Sequence, residues 1–448
     1  MKNMSSPLCR LGVLALTTIT LVTTLTACNG NSSSKDTIPV PSSPNPTSNC
    51  VWKGPLTGFN PETNYAFPDS GAYYWSTIVT IPKDTRMFIK GQYPHARYMS
   101  YVSYNAIDGT PSESLPDTAI NPESGSTNPF IEGNLRTLTQ RDYRVEVVSG
   151  TASTVERPAN TIYAPIAANK TVTILYRIYV ADKDRDILGG VPLPEIEIET
   201  KDGKKITGSK ACDTLKASPN MFPRTSPDKN TYLTARDRPD TPLGFPAKTP
   251  PIWWSAYNQV WNFKCMFYGA CGGTPPRGVG YYANPDNAYT FANISRDLGK
   301  IVVLRGKIPT VPQTLNGDRY AQQGQVRYWS ICSNEYFTQK VTTCLYDEQV
   351  SVDKDGLYTI VVSRNEDKPN NAINECGNGY LSMSDVGDGL GHENDVLLIM
   401  RNMLPSANFT QAIQNTKTPG DESLVMGDFL PTISYTTKAE FESRGCKS

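Results

Sequence analysis

Residues able to do chemistry in this 448-residue chain fall into four places. The first is His95, one of only two histidines, which stands just before the phrase "ARYMSYVSY" (96–104), with Arg97 at its head. Histidine carries protons near neutral pH, yet no Gly-x-Ser-x-Gly elbow or clustered cysteine nucleophile accompanies it, so a solvated loop histidine is the plainer reading. The second is "SDVGDGLGHENDVL" (384–397), which sets Asp385, Asp388, His392, Glu393 and Asp395 in a glycine-rich loop. Oxygen ligands on a flexible loop suit Ca²⁺, and His with Glu suits a transition metal. The spacing fits no EF-hand, and an ordinary polar turn competes with the metal reading. "ADKDRD" (181–186) has the alternation but puts Ile187 where an EF-hand needs glycine.

The third place is a Pro-rich stretch carrying Trp253, Trp254, Tyr257 and Trp261. Flat rings beside Asn and Gln can bind a carbohydrate or an apolar small ligand; packed inward, the same rings would plug the space between two sandwiches. The fourth is a set of residues that occur twice: Asp69 and Asp286, Arg97 and Arg327, Arg177 and Arg401. Residues that repeat with the architecture are expected to serve it, each arginine holding an internal carboxylate or carbonyl at a sandwich edge through its planar fork.

The elements that position these residues also repeat. "NYAFPDSGAYYW" (64–75) matches "YYANPDNAYTF" (281–291), "MFIKGQYP" (87–94) matches "VVLRGKIP" (302–309), and "ARYMSYVSY" matches "VRYWSICSN" (326–334). Then "YRVEVV" from Tyr143 matches "YTIVVS" from Tyr358, and "VTILYRIYV" (172–180) matches "VLLIMRNML" (396–404). No single pair is specific, but five in the same order at comparable spacing indicate a duplication. Each block alternates, is rich in Val, Ile, Tyr and Thr, and is bounded by turn residues, which is the pattern of strands. The expected fold is mainly β: two related antiparallel, jelly-roll-like β-sandwich units, 50–215 and 281–448, with a Pro/aromatic-rich insert, 216–280, between them. "EIEIETKDGKKITG" (195–208) predicts a hairpin turning at Asp202-Gly203, and "PPIWWSAYNQVWNFK" predicts a helix with Trp254, Tyr257 and Trp261 on one face.

Residues 1–27 read as a signal peptide, with Lys2 and Arg10 ahead of "LGVLALTTITLV". The ending "LTAC" resembles the lipobox of bacterial lipoproteins, which implies acylation of Cys28; Asn29, where that family would place Asp for inner-membrane retention, implies outer-membrane sorting. Residues 28–49, rich in Ser, Asn and Pro, read as a disordered tether reaching up to about 65 Å. The remaining cysteines, Cys50, Cys212, Cys265, Cys271, Cys332, Cys344, Cys376 and Cys446, are even in number in an exported chain and read as disulfides. Proximity favours Cys265 with Cys271 and Cys332 with Cys344, and Cys50 with Cys446 would tie the ends together. Lys plus Arg equals Asp plus Glu at 43 each, with no basic run, which argues against nucleic acid as a partner.

"VRYWSICS", "RDYRVEV" and "ILYRIYVADKDRDILGGVPLP" resemble exported bacterial proteins of uncharacterised function whose β-rich domain is built around an "RYWS" strand. That resemblance covers about half the chain and implies a fold and an envelope setting, with no activity to carry over. Met403 departs from the Trp-Leu-Pro ending of that group. The combined expectation is a lipid-anchored protein that binds a ligand or serves the envelope without catalysis and without a cofactor, the rival being a hydrolase of envelope polymers or an exported substrate with its site between the units.

Overall fold

Strands that alternate in sequence but must be buried on both faces organise this molecule. The structure, a computed structural model, describes residues 49–446 apart from 153–156, 225–227, 238–246, 269, 271, 274, 276–279 and 281. The expected signal peptide, Cys28, the tether up to residue 48, and Cys271 lie outside the described residues.

Unit A comprises β1 (Lys53–Leu56), β2 (Ala72–Val79), β3 (Thr85–Gln92), β4 (Ala96–Tyr104), β5 (Pro111–Pro116), β6 (Asp142–Ser149), β7 (Thr161–Ala164), β8 (Val172–Ala181), β9 (Glu195–Thr200) and β10 (Lys205–Ile206), followed by helix α1 (Gly208–Leu215). Helix α2 (Lys229–Arg236) leads to unit B: β11 (Trp253–Ser255), α3 (Gln259–Tyr268), β12 (Asn287–Ser295), β13 (Ile301–Lys307), β14 (Tyr328–Asn334), β15 (Val341–Tyr346), β16 (Leu357–Ser363), β17 (Gly379–Ser382), β18 (Asp395–Met403), α4 (Glu422–Met426), β19 (Thr432–Thr436) and α5 (Lys438–Glu442).

The sheets run β1-β2-β8-β4-β5 and β10-β9-β3-β6-β7 in unit A, and β11-β12-β18-β14-β15 and β17-β16-β13-β19 in unit B. Replacing each strand of unit A except β10, which has no counterpart, by its equivalent reproduces the order in unit B, so the two units are related sandwiches. Three apolar layers separate the four sheets. One lies inside unit A, with Trp75, Met99, Tyr101 and Ile178; one inside unit B, with Trp329, Ile331, Leu398 and Met400; the third lies between the two inner sheets, with Tyr98, Val102, Tyr104, Tyr179 and Tyr328. Period-two alternation therefore sends Met99 and Tyr101 into their own core and Tyr98, Val102 and Tyr104 toward the other unit. All nine residues of β4 are buried as a result.

The mainly β fold of two related sandwich units is as expected, and several finer expectations are corrected. The outer sheets are mixed, because β7 joins β6, and β17 joins β16, in parallel; parallel neighbours need a crossover rather than a tight hairpin, which residues 364–378 supply between β16 and β17. "WWS" forms β11, the edge strand of unit B's inner sheet, and the helix begins only at Gln259, so the predicted helix divides into a short strand and a later helix. In the 195–206 hairpin only Gly203 takes a positive φ, +79°, so the turn is not of the primed type. Cys50 bonds Cys212 and Cys376 bonds Cys446, each pair within one unit, in place of the expected end-to-end Cys50–Cys446 link. Cys332 and Cys344 are bonded across neighbouring strands. Cys265 is disulfide-bonded.

The units are joined crosswise by the repeated residues. Arg97 enters unit B, where it pairs with Asp347 and Glu348 and donates from Nε to Thr314 at 3.0 Å. Arg327 reaches back to Asp117 at 3.4 Å and to the Arg97 carbonyl at 3.2 Å. Each acid also accepts an amide two residues beyond the arginine of its own unit, Asp117 from Met99 and Asp347 from Trp329, both at 2.9 Å. Tyr98 donates to Asp286 at 2.5 Å and Tyr328 to Asp69 at 2.7 Å, again across the interface. The arginines thus hold internal acceptors, but between the units rather than at a sandwich edge.

Arg97 and its carboxylates have no exposed side-chain surface, so Arg97→Leu leaves two acids buried without a cation and should cost about 3–5 kcal/mol. Arg86→Ala, removing a 55% exposed partner of Glu146, should cost at most about 1 kcal/mol. Equal losses in denaturant unfolding would show that the buried pair is not what holds the units. A second expectation concerns Asp117, whose carboxyl burial raises from 3.8 to about 6 against the pull of Arg327. The folded state then binds its proton more tightly than the unfolded one, so the associated stability is present below about pH 4 and lost as pH rises through about 6. For this fully buried group that is about 3 kcal/mol. The stability of Asp117→Asn relative to the parent should therefore rise by up to that amount between pH 4 and pH 7; the same difference at both pH values would refute it.

Candidate functional site

The inner strands β8 and β18 occupy equivalent central places in the two facing sheets. Leu175, Arg177 and Tyr179 alternate along one, and Leu397, Ile399 and Arg401 along the other, and all six side chains line a cavity of about 100 Å³ between the units. Its remaining walls include Leu56, Tyr74 and Phe222 from the unit A side and Trp254, Tyr289 and Phe291 from unit B.

Two buried guanidiniums therefore face one largely apolar space, and they are held differently. Arg401 lies 3.4 Å from Asp69 and donates to the Phe67 carbonyl at 2.8 Å and to Cys332 Sγ at 2.8 Å. Arg177 donates through Nη2 to the Tyr282 carbonyl at 2.6 Å and to the Tyr104 hydroxyl. Asp286, the counterpart of Asp69, is engaged by Tyr98 and by Ser114 at 2.8 Å. Among the described residues no carboxylate lies within 4.0 Å of Arg177 as a salt-bridge partner, although it is only 1% exposed. A buried cation without such a partner is costly, which makes this the place where an anion would be accepted.

The aromatic insert contributes to these walls rather than to an exposed platform. Trp253 sits in the unit B core with its indole N–H on the Pro431 carbonyl at 2.7 Å, Tyr257 is fully buried, and Trp254 packs edge-on against Phe291 beside the cavity. Trp261 is partly buried. Alternation along a three-residue strand, rather than a helical face, decides where the two tryptophans go.

His95 lies elsewhere, in the β3–β4 turn. Its amide donates to the Gly189 carbonyl and its carbonyl accepts from Asp182; a side chain at Gly189, where φ is +68°, would run into it at 2.8 Å. Burial, then Arg141, Arg185 and Arg136, push the imidazole down to about 4, so it is neutral at physiological pH. Neither His95 nor His392 has a Ser, Thr or Cys side chain hydrogen-bonded to its ring among the described residues.

Of the five residues of the 384–397 loop, Asp388 and His392 meet each other, and the other three serve separate contacts. Asp388, fully buried, accepts the amides of Leu390 and His392 at 2.7 and 3.1 Å, the His392 ring at 2.6 Å and the Tyr232 hydroxyl at 3.0 Å. Asp395 pairs with Arg236 at 2.5 Å, and Arg364 holds the carbonyls of Asp385 and Glu393. No three of these residues bring ligand atoms within 4.8 Å of one another. Among the described residues only Asp69, Cys332 and Cys344 do so, and there the sulfurs are joined as a disulfide and offer no thiolate.

No family model matches this chain, and no curated protein does. Among solved structures it is similar to an uncharacterized protein from Burkholderia cenocepacia, at 12% identity over 88% of this chain and 84% of that one, with a TM-score of 0.44. It is also similar to a protein from Vibrio parahaemolyticus, at 12% identity over 87% of this chain and 92% of that one, with a TM-score of 0.39.

Proposed function

We propose that this chain is an exported, lipid-anchored component of the bacterial cell envelope that holds a small ligand, without transforming it, in the cavity between its inner sheets. The observation that carries the binding reading is Arg177, a buried cation lining an apolar cavity with no carboxylate in salt-bridge contact among the described residues. The disulfides fit an oxidising compartment, and the charged and apolar N-terminal run ending in "LTAC" supports acylation at Cys28 and outer-membrane sorting. Burial of Trp253, Trp254 and Tyr257 favours an apolar small ligand over a carbohydrate stacked on an exposed platform.

Two measurements test this. Protein purified under mild conditions from its native membrane, then denatured and extracted, should release one small molecule in near-stoichiometric amount by mass spectrometry. An empty extract from folded protein, together with no thermal shift across a small-molecule panel, would leave only a structural role. Metabolic labelling should place an acyl chain on the mature protein, and Cys28→Ala should lose the label and leave the membrane fraction; an unlabelled parent would sink the anchor.

A further inference from the structure

We propose that the cavity selects a small carboxylate, an organic monoacid with an apolar body, and that Arg177 is the residue that recognises it. This rests on the cavity being a ligand site.

Among the side chains lining the cavity, the buried polar atoms without a hydrogen-bond partner are Arg177 Nε and Nη1, Trp254 Nε1 and the Tyr282 hydroxyl. Guanidinium and indole nitrogens can only donate, and a phenol can donate as well as accept. No carboxylate or amide oxygen among the lining residues is left over in the same way. The demand inside the cavity is therefore one-sided: it lacks acceptors. A ligand that brings acceptor oxygens would satisfy it, whereas an amine or any other donor would add to the excess.

Charge narrows the class. Asp69 neutralises Arg401 at 3.4 Å, and the equivalent acid on the other side, Asp286, is turned to Tyr98 and Ser114. Asp286 acts on Arg177 only through space, so among the described residues Arg177 lacks a carboxylate in contact, a place that one carboxylate fills and that a phosphate dianion overshoots. Leu175, Leu397, Ile399 and Phe291 make the opposite demand, for hydrocarbon rather than water. Size limits the body: a dry apolar cavity of about 150 Å³ accommodates benzene, and this one is about 100 Å³, so the enclosed part of the ligand is no larger than about a benzene ring.

The test uses the full-length protein in mild detergent after removal of any retained molecule. Propionate, butyrate, valerate and benzoate are each titrated against their primary amides by calorimetry, with tryptophan fluorescence as a second readout because Trp254 lines the site. At least one acid should bind saturably and about 10-fold or more tighter than its amide, as expected for a charge-assisted hydrogen bond against a neutral one. Arg177→Met should abolish that preference, while Arg177→Lys should keep part of it. Should Arg177→Met fail to fold, the acid–amide comparison on the parent protein still decides. Equal binding of acid and amide overturns the carboxylate and leaves the cavity as a ligand site, as does a neutral molecule in the native extract. Tighter binding of methyl phosphate than of any acid also overturns it, in favour of a phosphate ligand. No binding of any probe together with an empty extract removes both readings.

Discussion

Everything in this molecule is arranged around the burial of charge between two sheets that would otherwise be apolar slabs. Arg97 with Asp347 and Glu348, and Arg327 with Asp117, cross the interface in opposite directions. Such pairs add little net stability over a well-packed apolar contact, but a misaligned interface would leave each member buried alone. They therefore impose one register on surfaces that shape alone would allow to slide. The same logic explains why the Arg-Tyr-x-Ser strands, the Pro-Asp loops and the acids Asp117 and Asp347 each have a copy in both units: every contact across the boundary needs both a giver on one unit and a receiver on the other.

Where the two copies differ is more informative than where they agree. Asp69 accepts from Tyr328, Ser330 and Gly71 and also faces Arg401, while Asp286 accepts from Tyr98 and Ser114 and leaves Arg177 without a carboxylate in contact among the described residues. Cys332 and Cys344 are bonded on one side of the interface, with Val102 and Ser114 at the corresponding strand positions on the other. A duplicated scaffold can carry such departures because one copy already satisfies the architecture. The cavity lies where matched strands β8 and β18 face each other with mismatched surroundings.

Much of the fold was legible, because strands declare themselves through period-two alternation and the repeat multiplied the signal. The side to which each face points was not. In "ARYMSYVSY" both alternating sets are apolar or aromatic, so nothing in the spacing tells Met99 and Tyr101, which fill unit A, from Tyr98 and Tyr104, which meet unit B. The insert was misread for a related reason: Trp254, Tyr257 and Trp261 fit a helical period, but pairing of "WWS" with β12 overrides a local preference over so few residues. Cysteine pairing depends on which unit each cysteine closes, which spacing does not encode. Arg177 was visible as an arginine inside a strand of unbroken hydrophobicity, yet its lack of an acid follows from hydrogen bonds made by Tyr98 and Ser114, far away in sequence.

The Cys50–Cys212 bond has a mechanical consequence. Tension applied to the chain ahead of Cys50 would pass through the sulfurs into helix α1, which packs on the unit A core through Ala211 and Leu215. The short edge strand β1, whose few ladder bonds to β2 would otherwise open one after another under a pull from its own end, is bypassed by the load. A chain held at its N-terminal side would then resist force by shearing a covalently pinned helix off a packed core, a far stiffer geometry than unzipping an edge.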